Sequence, residues 1–169
     1  MTPNLFQNIL VAINGSEGSI HAAQYAILMA KQYHSNVKVV YVVDTATIKY
    51  LTLNRIFISD EAADYEKSLL QDGQRYLNYV ANLGRKKGVV IETILRKGAV
   101  WTEVVILADE MKANLILLGG AFQGSSIGLD GQHKDSIITS FTEILANAPC
   151  SVLVVHEKML DHLFGKIGI

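Results

Sequence analysis

The stretch ANLILLGGAFQGSSIGLDGQHKDSIITSFTEILANAPCSVLVV, Ala113 to Val155, reads as strand, glycine-rich loop, helix, strand, and it decides the fold. Leu115 to Leu118 is a short apolar run bounded by loop signals, the pattern of a strand buried on both faces. After it, Gly119, Gly120, Gly124, Gly128 and Gly131 are interleaved with Gln123, Ser125 and Ser126. Glycine lets backbone N–H groups approach a ligand closely, and a loop ahead of a helix is a common place for phosphate oxygens. The plain alternative is a surface loop that binds nothing, because serine and glycine also make linkers.

Upstream, Asn8 to Ile13 is a second buried-strand pattern, and Asn14-Gly15-Ser16-Glu17-Gly18-Ser19 is the turn after it. Either Ser16 or Ser19 can cap the following helix, in which Ile20, Ala23, Ile27 and Ala30 recur at helical spacing. Asn36 to Val43 is strand two, and Asp44 to Ile58, without a clean period, reads as a loop with room for a short helix. Ser59-Asp60-Glu61 opens the longest helix, whose inner face is marked by Ala62, Tyr65, Leu69, Tyr76, Val80 and Leu83. Gly73 interrupts it at a cost of roughly 1 kcal/mol relative to alanine, and Gly84 or Gly88 ends it. Strand three is expected over Val89 to Leu95, then a helix packing Trp101, Val104, Val105, Ala108 and Met111 inward. A helix around Lys134 to Ala146 and strand five, Ser151 to His156, complete the pattern.

This alternation predicts an α/β domain: a doubly wound, mostly parallel five-stranded sheet with helices on both faces. Right-handed crossovers bring the carboxyl ends of the strands to one edge, where ligands collect at the switch point in strand order. The Asn14 turn and the Gly119 loop are therefore expected beside the same crevice.

Composition narrows the classes of function. Fifteen basic residues against sixteen acidic ones leave a formal charge of −1, and Arg85-Lys86-Lys87 is the only basic run, so nucleic acid is not the expected partner. No apolar run is long enough to cross a bilayer, and the first residues lack the features of a secretory signal. The single cysteine, Cys150, excludes an internal disulfide and suits a reducing, cytoplasmic location.

Four segments carry a resemblance to the universal stress protein family. NILVAINGSEGSIHAAQYAILMA, VKVVYVV, RKGAVWTEVVILADEMKANLILLGG and ANAPCSVLVV look like that family's first strand and helix, its second strand, its third and fourth strands, and its ending. The resemblance implies a universal stress protein fold, of the adenine-nucleotide α-hydrolase-like group, over residues 1–158, with 159–169 as a C-terminal extension. It implies a regulatory or binding module of stress response, homodimeric through the last strand, Val152 to Val155, with ATP or another adenine nucleotide as ligand and Mg²⁺ able to accompany it. Family members that bind nucleotide typically show G-x2-G-x9-G-[ST] after strand four and an acidic residue after strand one. This chain departs from both. Asn14 stands where the family usually has aspartate, Phe122 where it has its second glycine, and Ile138-Thr139 where it has Gly-[ST]. The loop is also about six residues longer than the motif allows, if the gap is placed there.

A β-branched residue at 138 presents its backbone to a phosphate less freely than glycine, so the resemblance points to a modified loop. Gly124, Ser125 and Ser126 are its substitute cradle, with Thr139 or Ser140 at the helix start; Asn14, Val43, Gly119 and Gly120 complete the expected pocket. Backbone groups near Val43 are the adenine contacts that the resemblance implies. The rival reading is a dimeric interaction protein that binds no nucleotide, favoured by the broken Gly-[ST] element.

Evidence for catalysis is thin. There is no G-x-G-x-x-G after strand one and no G-K-[ST], and the five histidines lack metal-site spacing. Asp130 and Asp135 could hold Mg²⁺ beside a phosphate, though loop carboxylates are more often simply solvated. Cys150 opens a buried strand and reads as an apolar filler. In the extension, Met159, Leu160, Leu163, Phe164 and Ile167 have near-helical spacing and are expected to pack on the domain or on a dimer partner.

Overall fold

In the computed structural model the chain alternates as the apolar runs require. The structure describes residues 4–120, 132–156 and 160–166, with the side chains of 132–139, 160 and 161 left out. The order is β1 (Asn8–Ile13), α1 (Glu17–Tyr33), β2 (Asn36–Asp44), α2 (Thr45–Leu53), α3 (Ser59–Lys86), β3 (Ile91–Gly98), α4 (Val100–Glu110), β4 (Leu115–Gly119), α5 (Gln132–Asn147), β5 (Ser151–Val155) and α6 (Leu160–Lys166). All pairings are parallel and the strand order is β3-β2-β1-β4-β5. The order reverses direction between β1 and β4, which opens the switch-point crevice at their carboxyl ends.

Side-chain alternation along the strands builds two cores. Ile9, Val11, Val39 and Leu117 pack with α1, α3 and Phe164 of α6, whereas Leu10, Val40, Ile116 and Leu118 pack with Val104, Leu107 and Ala108 of α4 and with Ile144 of α5. A sheet covered on both faces explains why β1 and β4 are continuously apolar rather than alternating. Each fully buried aliphatic side chain contributes roughly 1.5–3 kcal/mol relative to an exposed one.

Several boundaries differ from the sequence reading. Strand three begins at Ile91, because Val89 and Val90 belong to the turn out of α3, and it runs on to Gly98. Gly84 does not end α3. It is buried inside the helix, where a Cβ would meet Ile91 at 2.6 Å, while Gly88, at φ +72°, makes the turn after it. The inner faces are centred on Leu77 in α3 and Leu107 in α4, two residues that the periodicity left out. Gly73 is buried because the Tyr41 ring occupies the place of its side chain, with Cδ1 2.4 Å from where a Cβ would stand.

The extension adds α6 against α1. Its Phe164 is buried, and the Lys87 ammonium lies 4.9 Å from the Phe164 ring centre.

Candidate functional site

The register of the sheet builds the crevice. Ile13 pairs with Tyr41, Asp44 with Gly98 and Gly119 with Val155, so Asn14, Val43, Gly119 and Gly120 all fall at the carboxyl edge. Between β1 and α1 the turn is held by its own polar side chains. The Ser16 N–H donates to Asn14 Oδ1 at 3.0 Å and the Ser19 N–H to Ser16 Oγ at 3.2 Å. The buried Ser19 hydroxyl donates to the Ser16 carbonyl at 2.8 Å and accepts from the Asn14 N–H at 3.3 Å. Of the two serines, Ser16 is the cap of α1, and Glu17 lies in the first turn, where a carboxylate complements the helix dipole.

Asn14 thus uses its side-chain carbonyl oxygen within the turn, and the other end of its side chain is an amide N–H₂, which can only donate. Aspartate in that place would offer two acceptors and no donor.

Val43 has its side chain wholly inside the α1/α3 core. What it can offer a ligand is backbone. The neighbouring carboxylate, Asp44, is committed to capping α2: it accepts from the Thr47 N–H at 3.0 Å and from the Thr47 hydroxyl at 2.6 Å.

On the β4 side, glycine is required by close approach. A Cβ on Gly119 would stand 2.3 Å from the Gly18 carbonyl carbon and 2.4 Å from the Ser19 nitrogen, so the end of β4 meets the first turn of α1 backbone to backbone. A Cβ on Gly120 would lie 2.3 Å from His156 Nδ1, and the Gly120 N–H donates to the Val155 carbonyl at 2.8 Å. His156 is therefore an exposed imidazole at the mouth of the glycine-rich loop. Nothing in the sequence signals its contact with Gly120.

Gly124, Ser125 and Ser126 lie outside the described residues, as do Phe122 and Asp130. Thr139 and Ser140 fall inside α5, about two turns past its beginning at Gln132, rather than at the helix start. The segment from Gln132 holds no proline or glycine to delay the helix, and the half-buried Ser140 is the one of the two whose side chain is described.

Burial pushes the Cys150 thiol up, partly countered by a hydrogen bond with the Ile116 backbone, so at neutral pH it stays a protonated packing group. Among the described residues no cluster of three His, Cys, Asp or Glu could hold a metal, and no helix is long and apolar enough to cross a membrane.

The sequence profile described as the universal stress protein family matches residues 5–156. The chain belongs to that family. A universal stress protein of Methanocaldococcus jannaschii is 30% identical over 155 residues, covering 91% of this chain and 84% of the relative. A universal stress protein of Burkholderia pseudomallei has the same fold, with a TM-score of 0.68 at 22% identity over 92% of this chain and 99% of that one. The universal stress protein of Archaeoglobus fulgidus in complex with dAMP superposes with a TM-score of 0.59 at 18% identity, over 89% of this chain and 98% of that one.

Proposed function

We propose that this universal stress protein is a regulatory binding module that takes an adenine nucleotide into the carboxyl-edge crevice, in the reducing environment of the cytoplasm. The observation that carries the reading is the convergence of the Asn14 turn, the end of β2 at Val43 and the Gly119-Gly120 backbone on one sheet edge at the switch point. In this reading Val43 serves the adenine through its backbone, since its side chain is core, and Asn14 donates its amide where a carboxylate would only accept. In the same proposal the phosphates are the share of Gly124, Ser125 and Ser126, together with Thr139 or Ser140 of α5. Mg²⁺, where it accompanies a triphosphate, would be held chiefly by phosphate oxygens. The relative solved with dAMP supports the choice of ligand class.

The test is to denature protein purified without added nucleotide and identify what is released by mass spectrometry. Near-stoichiometric AMP, ATP or a cyclic adenine nucleotide is the expected result. Nucleotide-free protein that also ignores added AMP and ATP overturns the reading.

A second reading, association through β5, has its own support. Ser151–Val155 is an edge strand without a charged residue, and beside it runs an apolar groove of about 800 Å³ lined by Tyr25, Leu28, Met29, Leu153 and Leu163. An open, uncharged edge tends to pair with another strand, and a second copy of this chain supplies one. Homodimerisation would use β5 and nucleotide binding the crevice between β1 and β4, so the two are compatible. If the nucleotide test fails, the dimer with its groove becomes the primary function, as an interaction module.

A further inference from the structure

We propose that Tyr76 is a positioning residue for the crevice: it sets the β1–α1 turn, and with it Asn14, from the far side without touching the ligand. The inference rests on the nucleotide reading for its consequence and on packing for its geometry.

Gly15 adopts φ +82°, a conformation that glycine reaches without strain. The space its side chain would fill is taken by the Tyr76 ring, with Cε2 2.3 Å, Cζ 2.5 Å and the phenolic oxygen 2.9 Å from where a Cβ would stand. The turn therefore lies directly on an aromatic ring brought by α3.

That ring is itself located by a second glycine–tyrosine contact one turn earlier on the same helix. Gly73 accepts the Tyr41 ring of β2 in place of a side chain, which lets α3 approach the sheet. Residues 73 and 76 are neighbours on one helix face, so the same approach carries Tyr76 over Gly15. The two rings stack, with centroids 6.3 Å apart and planes 22° from parallel, and the Arg75 guanidinium lies 5.3 Å from the Tyr76 centroid. A continuous series of rigid contacts thus runs from β2 through Gly73 and the stacked rings to Gly15.

Among the described residues, the Asn14 backbone N–H and side-chain oxygen bond within the turn, to Ser19 and Ser16. Those bonds fix the turn's shape; the Tyr76 ring fixes its height above the sheet edge, where Asn14 must meet a ligand.

The experiment compares Tyr76→Ala, Tyr76→Phe and Leu77→Ala by calorimetric titration with AMP, alongside thermal denaturation. Leu77 is fully buried on the same helix, while the three atoms nearest a Cβ at Gly15 all belong to Tyr76, so Leu77 serves as the control for loss of stability. Tyr76→Ala is expected to weaken AMP binding about tenfold, Tyr76→Phe to restore it to within about twofold, and Leu77→Ala to lower the melting temperature with affinity unchanged. Tyr76→Leu replaces the alanine variant if that one does not fold. Native-level AMP affinity in folded Tyr76→Ala or Tyr76→Leu overturns the proposal.

A readout without nucleotide separates this proposal from the reading it rests on. Hydrogen exchange of the Ser16 and Ser19 amides, held by Asn14 Oδ1 and Ser16 Oγ, is expected to speed up in Tyr76→Ala beyond the change in Leu77→Ala. If wild-type protein fails to bind AMP, the nucleotide reading fails, while the exchange data still decide whether Tyr76 sets the turn. Equal exchange in both variants overturns the proposal whatever AMP does.

Discussion

The two edges of the sheet are built differently. β3, at one edge, carries Glu92, Arg96 and Lys97 within eight residues, and each is engaged: Glu92 with Lys38 at 3.0 Å, Lys97 with Glu66 at 2.9 Å, Arg96 with both Glu103 and Glu110. β5, at the other edge, reads Ser-Val-Leu-Val-Val and has no charge at all. Charges on an exposed strand make pairing with another chain costly, because they would have to be desolvated. Among the described residues, β3 holds its charges in ion pairs whereas β5 is an uncharged edge strand with an apolar groove beside it, the feature on which the proposed association rests. Ligand binding at the crevice and association at β5 can then coexist, since the crevice opens at the switch point between β1 and β4.

The largest effect is expected from giving β5 what β3 already has. Leu153→Lys places a cation in the open edge and its groove, and sedimentation or light scattering should show the dimer dissociating by roughly 10-fold or more in Kd. A wild-type monomer, or a variant that associates as well as wild type, would break the comparison.

Next comes Arg96→Ala. It removes a half-buried guanidinium shared by two α4 carboxylates, whose hydrogen bonds and charge hold the Arg96 pKa above its ordinary value. A loss of roughly 1–2 kcal/mol in urea denaturation is expected, with no change in association.

High pH should loosen the β3 half first. Burial raises the Tyr41 hydroxyl from 10.0 to about 12, with Asp72, Tyr76 and Tyr65 adding to the effect. The folded state therefore holds this proton more tightly than the unfolded chain. The associated stability is fully present below pH 10 and is lost as pH rises toward 12. Thermal denaturation across that window should fall more steeply for wild type than for Tyr41→Phe; parallel curves would remove Tyr41 from the account.

The smallest effect belongs to Lys97→Ala. Its ion pair with Glu66 is half exposed, so a change within about 0.5 kcal/mol is expected by the same denaturation measurement.

The strands were legible because a sheet covered on both faces needs uninterrupted apolar runs, and the Ser16 cap because a serine before an apolar period has one common use. Long-range fits were not legible. Nothing local explains Gly73, whose partner is the Tyr41 ring on another element, or Gly120, whose partner is His156. Tyr76 lies on the inner face of α3 as its period requires, but nothing local signals that it also covers the β1–α1 turn, and the period misses Leu77, which is fully buried in the core. The resemblance sets Thr139 or Ser140 at a helix start, whereas α5 begins at Gln132. The two registers part company because the chain from Gly119 to Gln132 is already as long as the motif from its first glycine to its Gly-[ST], so the extra residues lie in α5 and not in the loop.

The most direct test of the central claim is a titration of isotopically labelled protein with AMP, followed amide by amide in NMR spectra. The account predicts saturable shifts at Asn14, Val43, Gly119 and Gly120, with the amides of the β5 groove unmoved. Shifts confined to the groove around Leu28 and Leu153, or none at saturating AMP, would contradict it.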